Sequence, residues 1–118
     1  MNRTDLKRKL LDERNLCDFC EAELGFAVDM HEWLIKRSAV PKSKKTKLWD
    51  ERNCSLLHTS CHAKFGQTTR MKEKLAPIFV ERYGKPAMLE FVTGLHLRAA
   101  QEYINVIKKC HVYYTNVT

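Results

Sequence analysis

The chain of 118 residues is 44% hydrophobic and 30% charged, which predicts one globular domain and excludes a wholly disordered chain. No run of about 18 apolar residues occurs, which excludes a membrane-spanning helix, and the polar first residues do not resemble a secretory signal. The formal net charge of +7 favours a polyanionic partner, and we expect an intracellular protein.

The first half of the chain predicts a helix, a tight two-cysteine turn and two strands. The helix is expected within residues 1–15, because leucines recur there at helical spacing after a capping residue at Thr4 or Asp5. β-favouring residues in partial alternation predict one strand over residues 26–31 and a second strand over residues 53–57.

The second half predicts helices only. Thr59 or the serine after it is expected to cap a short helix that ends near Gly66. An apolar stripe over residues 68–112 predicts an extension of two helices, separated at Gly84, with the second helix continuous through Gly94. The predicted fold class is therefore α+β with helix dominant.

Two pairs of metal-ligand residues share one spacing. Cys17 and Cys20 form a Cys-x-x-Cys pair, and His58 and Cys61 form a His-x-x-Cys pair. A two-residue gap places both side chains on one side of a turn, so each pair offers half of a tetrahedron, and such a closed Cys3His set is typical of structural zinc. A redox-active or merely packed cysteine pair is the alternative interpretation, and Cys54 is a competing ligand.

The excess positive charge is concentrated between these two pairs, in residues 36–47, called here the basic segment. It holds six basic residues and no acid, so the rest of the chain carries only +1. Pro41 and Ser43 interrupt any regular periodicity, which predicts a loop. The segment is either a solvated loop or a set of contacts to backbone phosphates, which would carry little sequence information. Its basic residues are Lys36, Arg37, Lys42, Lys44, Lys45 and Lys47.

The residues between the ligand pairs resemble the HNH endonuclease family. That family has a Cys-x-x-Cys knuckle, a strand that ends in a histidine pair or Asp-His, an asparagine five residues before a second knuckle, and a histidine directly after that knuckle. Here the strand ends in His31-Glu32, Asn53 lies five residues before the second knuckle, and His62 directly follows it. The resemblance covers about residues 17–66, and the helices beyond look like those of small phage-borne members.

The resemblance implies a ββα-metal core with structural zinc, in which one further divalent ion, Mg2+, Mn2+ or Ni2+, grips the scissile phosphate. His31 would be the strand ligand of that ion and His62 the helix ligand. Asn53 would brace the loop that holds the general base. The basic segment would contact DNA, although RNA fits the same phosphate contacts. The family also implies the cytoplasm of a phage-infected host as the location.

The sequence departs from the family pattern at two positions. The family's second strand histidine, usually the general base, is Glu32 here, and a carboxylate is a weaker base than imidazole near neutrality. Alternatively His31 is the base and Asp29 or Glu32 is a metal ligand, since alternation places Asp29 and His31 on one face of the strand. Gly66 occupies the place of a further family histidine, four residues after His62. The ion would therefore have fewer protein ligands here than in family members that carry this histidine.

The sequence thus predicts a divalent-metal-dependent HNH endonuclease that hydrolyses phosphodiester bonds in DNA, as a monomer or homodimer. The domain would comprise an N-terminal helix (residues 1–15), a zinc-clamped core (residues 17–66) and the helical extension (residues 68–112). Two alternatives stay open: a non-catalytic zinc-containing nucleic-acid-binding module, and an interaction protein that uses its C-terminal helix as a partner surface.

Overall fold

The computed structural model describes residues 2–66 and 68–110 and has a mixed helix and strand architecture, in agreement with the α+β class. Residues 111 and 112 of the predicted extension lie outside the described residues. No helix in the described ranges combines the length and apolar character needed to cross a bilayer. The elements, in chain order, are α1 (Arg3–Glu13), β1 (Val28–Glu32), β2 (Cys54–His58), α2 (Thr59–Phe65), α3 (Thr69–Tyr83), α4 (Lys85–Gly94) and α5 (Ala100–Lys108).

Helix α1 begins earlier than its sequence suggested. The predicted cap at Thr4 or Asp5 is wrong, because the Asn2 side chain caps the helix by accepting a hydrogen bond from the Asp5 backbone N–H at 2.8 Å. Two arginines fasten α1 to the sheet: Arg3 donates to the Met30 carbonyl at 3.0 Å, and Arg14 donates to the Cys54 carbonyl at 2.9 Å. The helix therefore packs across both strands.

Strands β1 and β2 form a two-stranded antiparallel sheet in which Val28 pairs with His58 and Glu32 pairs with Cys54. The first strand starts two residues later than predicted. Beyond His58 the chain turns into α2, whose first residue, Thr59, donates its backbone N–H to the Ala27 carbonyl at 2.9 Å. With no strand partner left at that point, β1 begins at Val28.

Helix α2 directly follows β2, without the side-chain cap predicted for its start. His58 occupies the cap position and makes no capping hydrogen bond. The Thr59 hydroxyl donates instead to the Asp29 carboxylate at 3.3 Å. The predicted capping residue therefore links α2 to β1.

The C-terminal extension contains three helices, so the prediction of two was wrong. Helix α3 ends before Gly84, which adopts φ +87°, and α4 starts with Pro86 in its first turn, as the sequence predicted. The second predicted helix breaks after Gly94, and His96 then adopts a left-handed φ of +51°. Glycine is a weak helix former, and this turn lets α5 fold back onto α4.

The basic segment is more regular than the predicted loop. It forms two 3₁₀ helices, Arg37–Ala39 and Lys42–Leu48, because buried Val40 and Leu48 anchor it to the hydrophobic core. Its Lys44 ammonium donates to the carbonyl of Leu95 at 2.7 Å, in the turn that follows α4. This contact ties the segment to the C-terminal helices.

One hydrophobic cluster joins the sheet to the helices on either side of it. Trp33, which is 1% exposed, packs against Phe79 of α3 with ring centroids 5.0 Å apart. Trp49 and Phe65 are only half-buried at its margin. The sheet and the helices therefore share one hydrophobic core.

Candidate functional site

Cys17, Cys20, His58 and Cys61, called here the Cys/His cluster, place their ligand atoms within 4.8 Å of one another. The Nδ1 atom of His58 lies 3.2 Å from the Cys20 sulfur and 3.9 Å from the Cys61 sulfur. Zn–S bonds of about 2.3 Å and Zn–N bonds of about 2.0–2.1 Å at a tetrahedral centre put neighbouring ligand atoms roughly 3.5–3.8 Å apart. The four residues are therefore close enough to bind a metal such as zinc.

The His58 ring is held in the tautomer that a metal needs. Its Nε2 lies 2.6 Å from the Glu23 carbonyl, so this nitrogen carries the proton and donates it. Nδ1 is then unprotonated and faces the cysteine sulfurs. A histidine ligand fixed by a hydrogen bond to a carbonyl is the usual outer-shell arrangement of metal sites.

The cysteines of the cluster differ in how readily they ionise. Burial opposes ionisation of Cys17, but hydrogen bonds from the backbone N–H groups of Cys20, His58 and Phe19 outweigh it and lower the pKa of the thiol. Burial and the neighbouring Cys17 and Cys20 thiols raise the pKa of Cys61 to about 12. Cys61 would therefore ionise only with a compensating cation beside it, which is what a bound metal would supply.

Cys54 lies outside the Cys/His cluster and is no competitor for the metal. It is fully buried, its thiol donates to the Leu48 carbonyl at 3.5 Å, and burial raises its pKa to about 12. Such a thiol behaves as a small hydrophobic core group.

Asp29 and His62, called here the Asp29–His62 pair, meet beside the cluster. The Asp29 Oδ2 atom lies 2.7 Å from the His62 Nδ1 atom, and the two side chains are 36% and 31% exposed. The hydrogen bond from His62 is the main cause of the lowered pKa of Asp29. A carboxylate and an imidazole that are both accessible offer two ligand atoms to an ion from solvent.

His31 is the third member of this constellation. Its ring centroid is 4.8 Å from that of His62, but the side chain is buried, with the residue 5% exposed. Burial and the charge of His62 lower the pKa of His31 to about 4, while a hydrogen bond to the Gly66 backbone acts in the opposite direction. The imidazole is therefore neutral near pH 7 and retains one nitrogen that can accept a proton.

Glu32 is not part of the Asp29–His62 pair. Strand alternation directs it to the face of β1 opposite Asp29 and His31. Its Oε1 atom lies 3.3 Å from the Arg37 Nε in an ion pair, yet this buried oxygen accepts no hydrogen bond within the described residues. The sequence left open whether Asp29 or Glu32 lies with His62 at the site. In the structure Asp29 contacts His62, and Glu32 does not.

A small cavity of about 80 Å³ opens beside His31. Lys36 of the basic segment and Lys72 of α3 both line it, together with Glu32. Sequence analysis missed Lys72, because nothing in the local spacing connects the first turn of α3 with a strand forty residues earlier. Two lysines against the single carboxylate of Glu32 leave a net positive lining beside a buried imidazole, which suits an anionic ligand.

Asn53 is fully buried and links two segments of the chain. Its side chain accepts a hydrogen bond from the Ile35 N–H and donates to the Ile35 carbonyl, both at 2.9 Å. It also donates to the Leu48 carbonyl at 3.2 Å, and its own carbonyl accepts from the Trp33 N–H at 3.0 Å. These contacts hold the chain that leaves β1 and fit the predicted bracing role.

Three members of the basic segment have partners within the chain. Arg37 pairs with Glu32, Lys44 donates to carbonyls after α4, and Lys45 donates to the Arg37 carbonyl at 3.1 Å. Within the described ranges, the remaining three make no hydrogen bond or ion pair through their side chains and are exposed: Lys36, Lys42 and Lys47. The segment therefore offers fewer free cations than its composition suggests.

Gly66 directly follows α2 and does not need a backbone conformation reserved for glycine, since its φ of −53° and ψ of −39° are helical. A Cβ atom there would lie 2.6 Å from the His62 Cδ2 atom and 2.5 Å from the His62 carbonyl oxygen. The absence of a side chain at Gly66 therefore allows the His62 ring to occupy its position next to His31.

Comparisons with protein-family models, with curated proteins and with solved structures found no significant match.

Proposed function

We propose that this protein is a divalent-metal-dependent endonuclease of the HNH type that hydrolyses phosphodiester bonds in DNA. In this proposal β1, β2 and α2 form a ββα-metal core, and the Cys/His cluster holds structural zinc. The observation that carries the proposal is the 2.7 Å contact of Asp29 with His62 beside the neutral His31 ring, one residue from the cluster ligand Cys61.

The Asp29–His62 pair fits a small divalent ion. Two neighbouring ligands of an octahedral ion, each about 2.1 Å from it, lie roughly 3.0 Å apart, close to the 2.7 Å between the Asp29 Oδ2 and His62 Nδ1 atoms. When bound, such an ion stabilises negative charge on the phosphoryl and leaving oxygens. Asp29 and His62 would be its protein ligands once the ion displaces the proton that the His62 Nδ1 atom donates to the Asp29 Oδ2 atom, with water in the other positions.

His31 would act as the general base rather than as a ligand. The Gly66 backbone favours the protonated form of this ring and so raises its pKa, although burial outweighs the effect. A ring nitrogen of the neutral imidazole would accept a proton from the attacking water. With a pKa of about 4, His31 is no stronger a base than a carboxylate, so what favours it over Glu32 is its place beside the His62 ring. Asn53 acts only through position, because its hydrogen bonds hold the chain that follows His31 and Glu32.

The Cys/His cluster would serve this site by position. His58 ends β2, and Cys61 lies in the first turn of α2. Ligands on both sides of this junction tie it to the turn that carries Cys17 and Cys20, so they fix the direction in which His62 leaves the helix. The cluster would therefore keep His62 beside Asp29.

Positive side chains near His31 support a phosphate-containing substrate. Lys36 and Lys72 line the cavity next to this ring, and an ammonium group is a compact donor to phosphate oxygens. Lys42 and Lys47 would add contacts farther along a DNA backbone.

Nicking of supercoiled plasmid tests the proposal directly. We expect the zinc-loaded protein to convert supercoiled DNA to open circles with added Mg2+, Mn2+ or Ni2+, and to cut nothing without them. A labelled RNA of matched length, run in parallel, determines whether DNA is the preferred substrate. A protein whose DNA affinity rises steeply as the salt concentration falls, but which never cuts the DNA, would contradict nuclease activity.

The alternative is a zinc-containing nucleic-acid-binding module without catalysis. Gly66 favours it, because the ion would have only Asp29 and His62 as described protein ligands near α2. Nicking by the wild type rules this alternative out. Failure both to bind and to cut nucleic acid would leave the interaction protein as the remaining class.

Substitution of Gly66 tests whether the close approach of the His62 ring to the Gly66 backbone is needed for activity. Gly66→Ala is expected to displace the His62 ring and to lower the nicking rate by about 10²-fold, the scale of a 1 Å misplacement in an active site. Gly94→Ala is the matched control, since no atom lies within 4 Å of its added Cβ. Wild-type nicking rates in Gly66→Ala, at equal zinc content, would contradict the placement of His62.

A further inference from the structure

Two aromatic rings stack at the surface between the Cys/His cluster and α3. Phe19 lies in the turn between Cys17 and Cys20, and Phe65 ends α2. Their ring centroids are 4.6 Å apart with an interplanar angle of 19°, and both side chains are half-buried. The stack is thus a firm platform whose edge reaches solvent.

Two cations lie over this platform. The Arg70 guanidinium is 5.0 Å from the Phe65 centroid and 5.8 Å from the Phe19 centroid, and the Lys64 ammonium is 5.4 Å from the Phe65 centroid. Both residues are exposed, and across the described ranges neither forms an ion pair. Like charges held near one ring without an acid repel each other, and an anion between them relieves that repulsion.

These cations lie next to the proposed active site. Lys64 follows His62 by two residues, and Arg70 precedes Lys72 by two residues at the start of α3. A two-residue step on a helix turns by about 200°, so Arg70 and Lys72 face opposite ways. Lys72 faces the cavity at His31 while Arg70 covers Phe65, and positive charge therefore flanks the α2–α3 junction on both sides.

We propose that Lys64 and Arg70, called here the Phe65 cation pair, contact backbone phosphates of the nucleic acid that enters the Asp29–His62 site. The inference rests on the proposed function and names a second binding surface for the same substrate. A polynucleotide is favoured over an acidic protein, because its regularly spaced phosphates can reach cations on both sides of the α2–α3 junction, Lys72 at the cavity and the pair over Phe65. Arginine stacked on aromatic rings also keeps its fork of donors free for phosphate oxygens.

The test compares two double variants that lose the same charge. The variant with Lys64→Ala and Arg70→Ala removes the pair. The control with Arg98→Ala and Lys108→Ala removes two exposed cations, one in the turn between α4 and α5 and one at the end of α5. Binding of a labelled 20-base-pair duplex is measured by fluorescence anisotropy at several NaCl concentrations, without added divalent ion. Zinc content and the thermal unfolding midpoint establish that each variant is folded.

Loss of two phosphate contacts should reduce the slope of log K against log salt by about 1.8 and weaken binding roughly 60-fold at 0.1 M salt. The control should keep the wild-type slope. Arg70→Lys, which retains the charge, should keep the slope but lose affinity, because lysine cannot stack as a planar fork.

Each outcome decides between the two proposals. Equal slopes in the wild type and the pair variant, or equal losses in both double variants, overturn the Phe65 cation pair while leaving nuclease activity intact. A reduced slope in the pair variant, together with a wild type that never nicks, supports the pair and overturns the nuclease. A wild type that binds an acidic peptide but neither DNA nor RNA overturns both.

Discussion

Replacement of Cys20 by alanine is expected to abolish metal binding and to unfold most of the chain at room temperature. Zinc at a Cys3His site contributes about 10–16 kcal/mol of binding free energy coupled to folding, whereas a whole domain is stable by only about 5–15 kcal/mol. The Cys/His cluster joins the turn at Cys17 to the junction of β2 and α2. Loss of one ligand therefore removes most of the free energy that holds this junction.

The measurements are zinc content by mass spectrometry and thermal unfolding by circular dichroism. Chelation of the wild-type metal should reproduce the effect of Cys20→Ala, and zinc should restore the fold. Cys110→Ser is the matched control, because Cys110 lies after α5, outside the cluster, and its thiol donates to the Val106 carbonyl as a serine hydroxyl can. Equal unfolding midpoints in Cys20→Ala and the wild type would refute the metal centre.

A disulfide measurement tests the alternative that Cys17 and Cys20 form a redox-active pair rather than part of a metal site. The redox alternative predicts that mild oxidation joins Cys17 and Cys20 and that zinc has no effect on stability. Counting free thiols with and without zinc distinguishes the two, since a bound metal protects the cluster thiols from modification.

Substitution within the constellation at Asp29, His31 and His62 is expected to lower the nicking rate by about 10²–10⁴-fold while zinc content and unfolding midpoint change little. The loss of a positioned general base has this magnitude, and none of the three residues belongs to the Cys/His cluster. The variants are Asp29→Asn, His31→Gln and His62→Ala, each assayed on supercoiled plasmid over a range of Mn2+ concentrations.

The roles of these residues separate in the metal titration. Asp29→Asn and His62→Ala should raise the Mn2+ concentration at half-maximal rate, because they remove ligand atoms. His31→Gln should lower the maximal rate without changing that concentration, because it removes only the proton acceptor.

Glu32→Gln tests the other assignment, since Glu32 pairs with Arg37 and lines the cavity at His31 but does not contact His62. Its rate should stay within a few-fold of the wild type. A severe loss in Glu32→Gln combined with full activity in Asp29→Asn would reverse the assignment and restore Glu32 as the base with His31 and His62 as ligands.

The metal centre was the most predictable feature of this molecule, because its information is local. A two-residue gap places two side chains on one side of a turn whatever the rest of the fold does. Cys17 with Cys20, and His58 with Cys61, were therefore identifiable as two half-sites, and their four ligand atoms do come together. The Glu23 carbonyl that orients His58 gave no signal, because any residue has a carbonyl.

The helical extension shows where periodicity alone fails. The apolar pattern continues through Gly94, so it predicts one long helix to about Lys109. The break after Gly94 depends on how α5 packs against α4 and on the Lys44 contact with the turn between them. A repeat of 3.6 residues describes one face of a helix but not where the chain reverses.

The basic segment illustrates the same limit for charge. Composition identified six cations between the ligand pairs, but Lys44 and Lys45 donate to backbone carbonyls and Arg37 pairs with Glu32. Meanwhile Lys64, Arg70 and Lys72, which form no cluster in the sequence, lie around the α2–α3 junction. Net charge is a sum over residues, whereas a binding surface depends on which cations lack internal partners.

The sequence by itself determined the four residues of the Cys/His cluster, the two strands and the alternation that places Asp29 and His31 on one face, because these follow from spacing along a few residues. Only the tertiary structure decided that Asp29, rather than Glu32, contacts His62, at 2.7 Å. That contact joins residues 33 positions apart, and it exists because α2 packs against β1, while the missing side chain at Gly66 leaves room for the His62 ring. Local spacing fixes which face a side chain occupies, while the packing of distant elements fixes what it meets there.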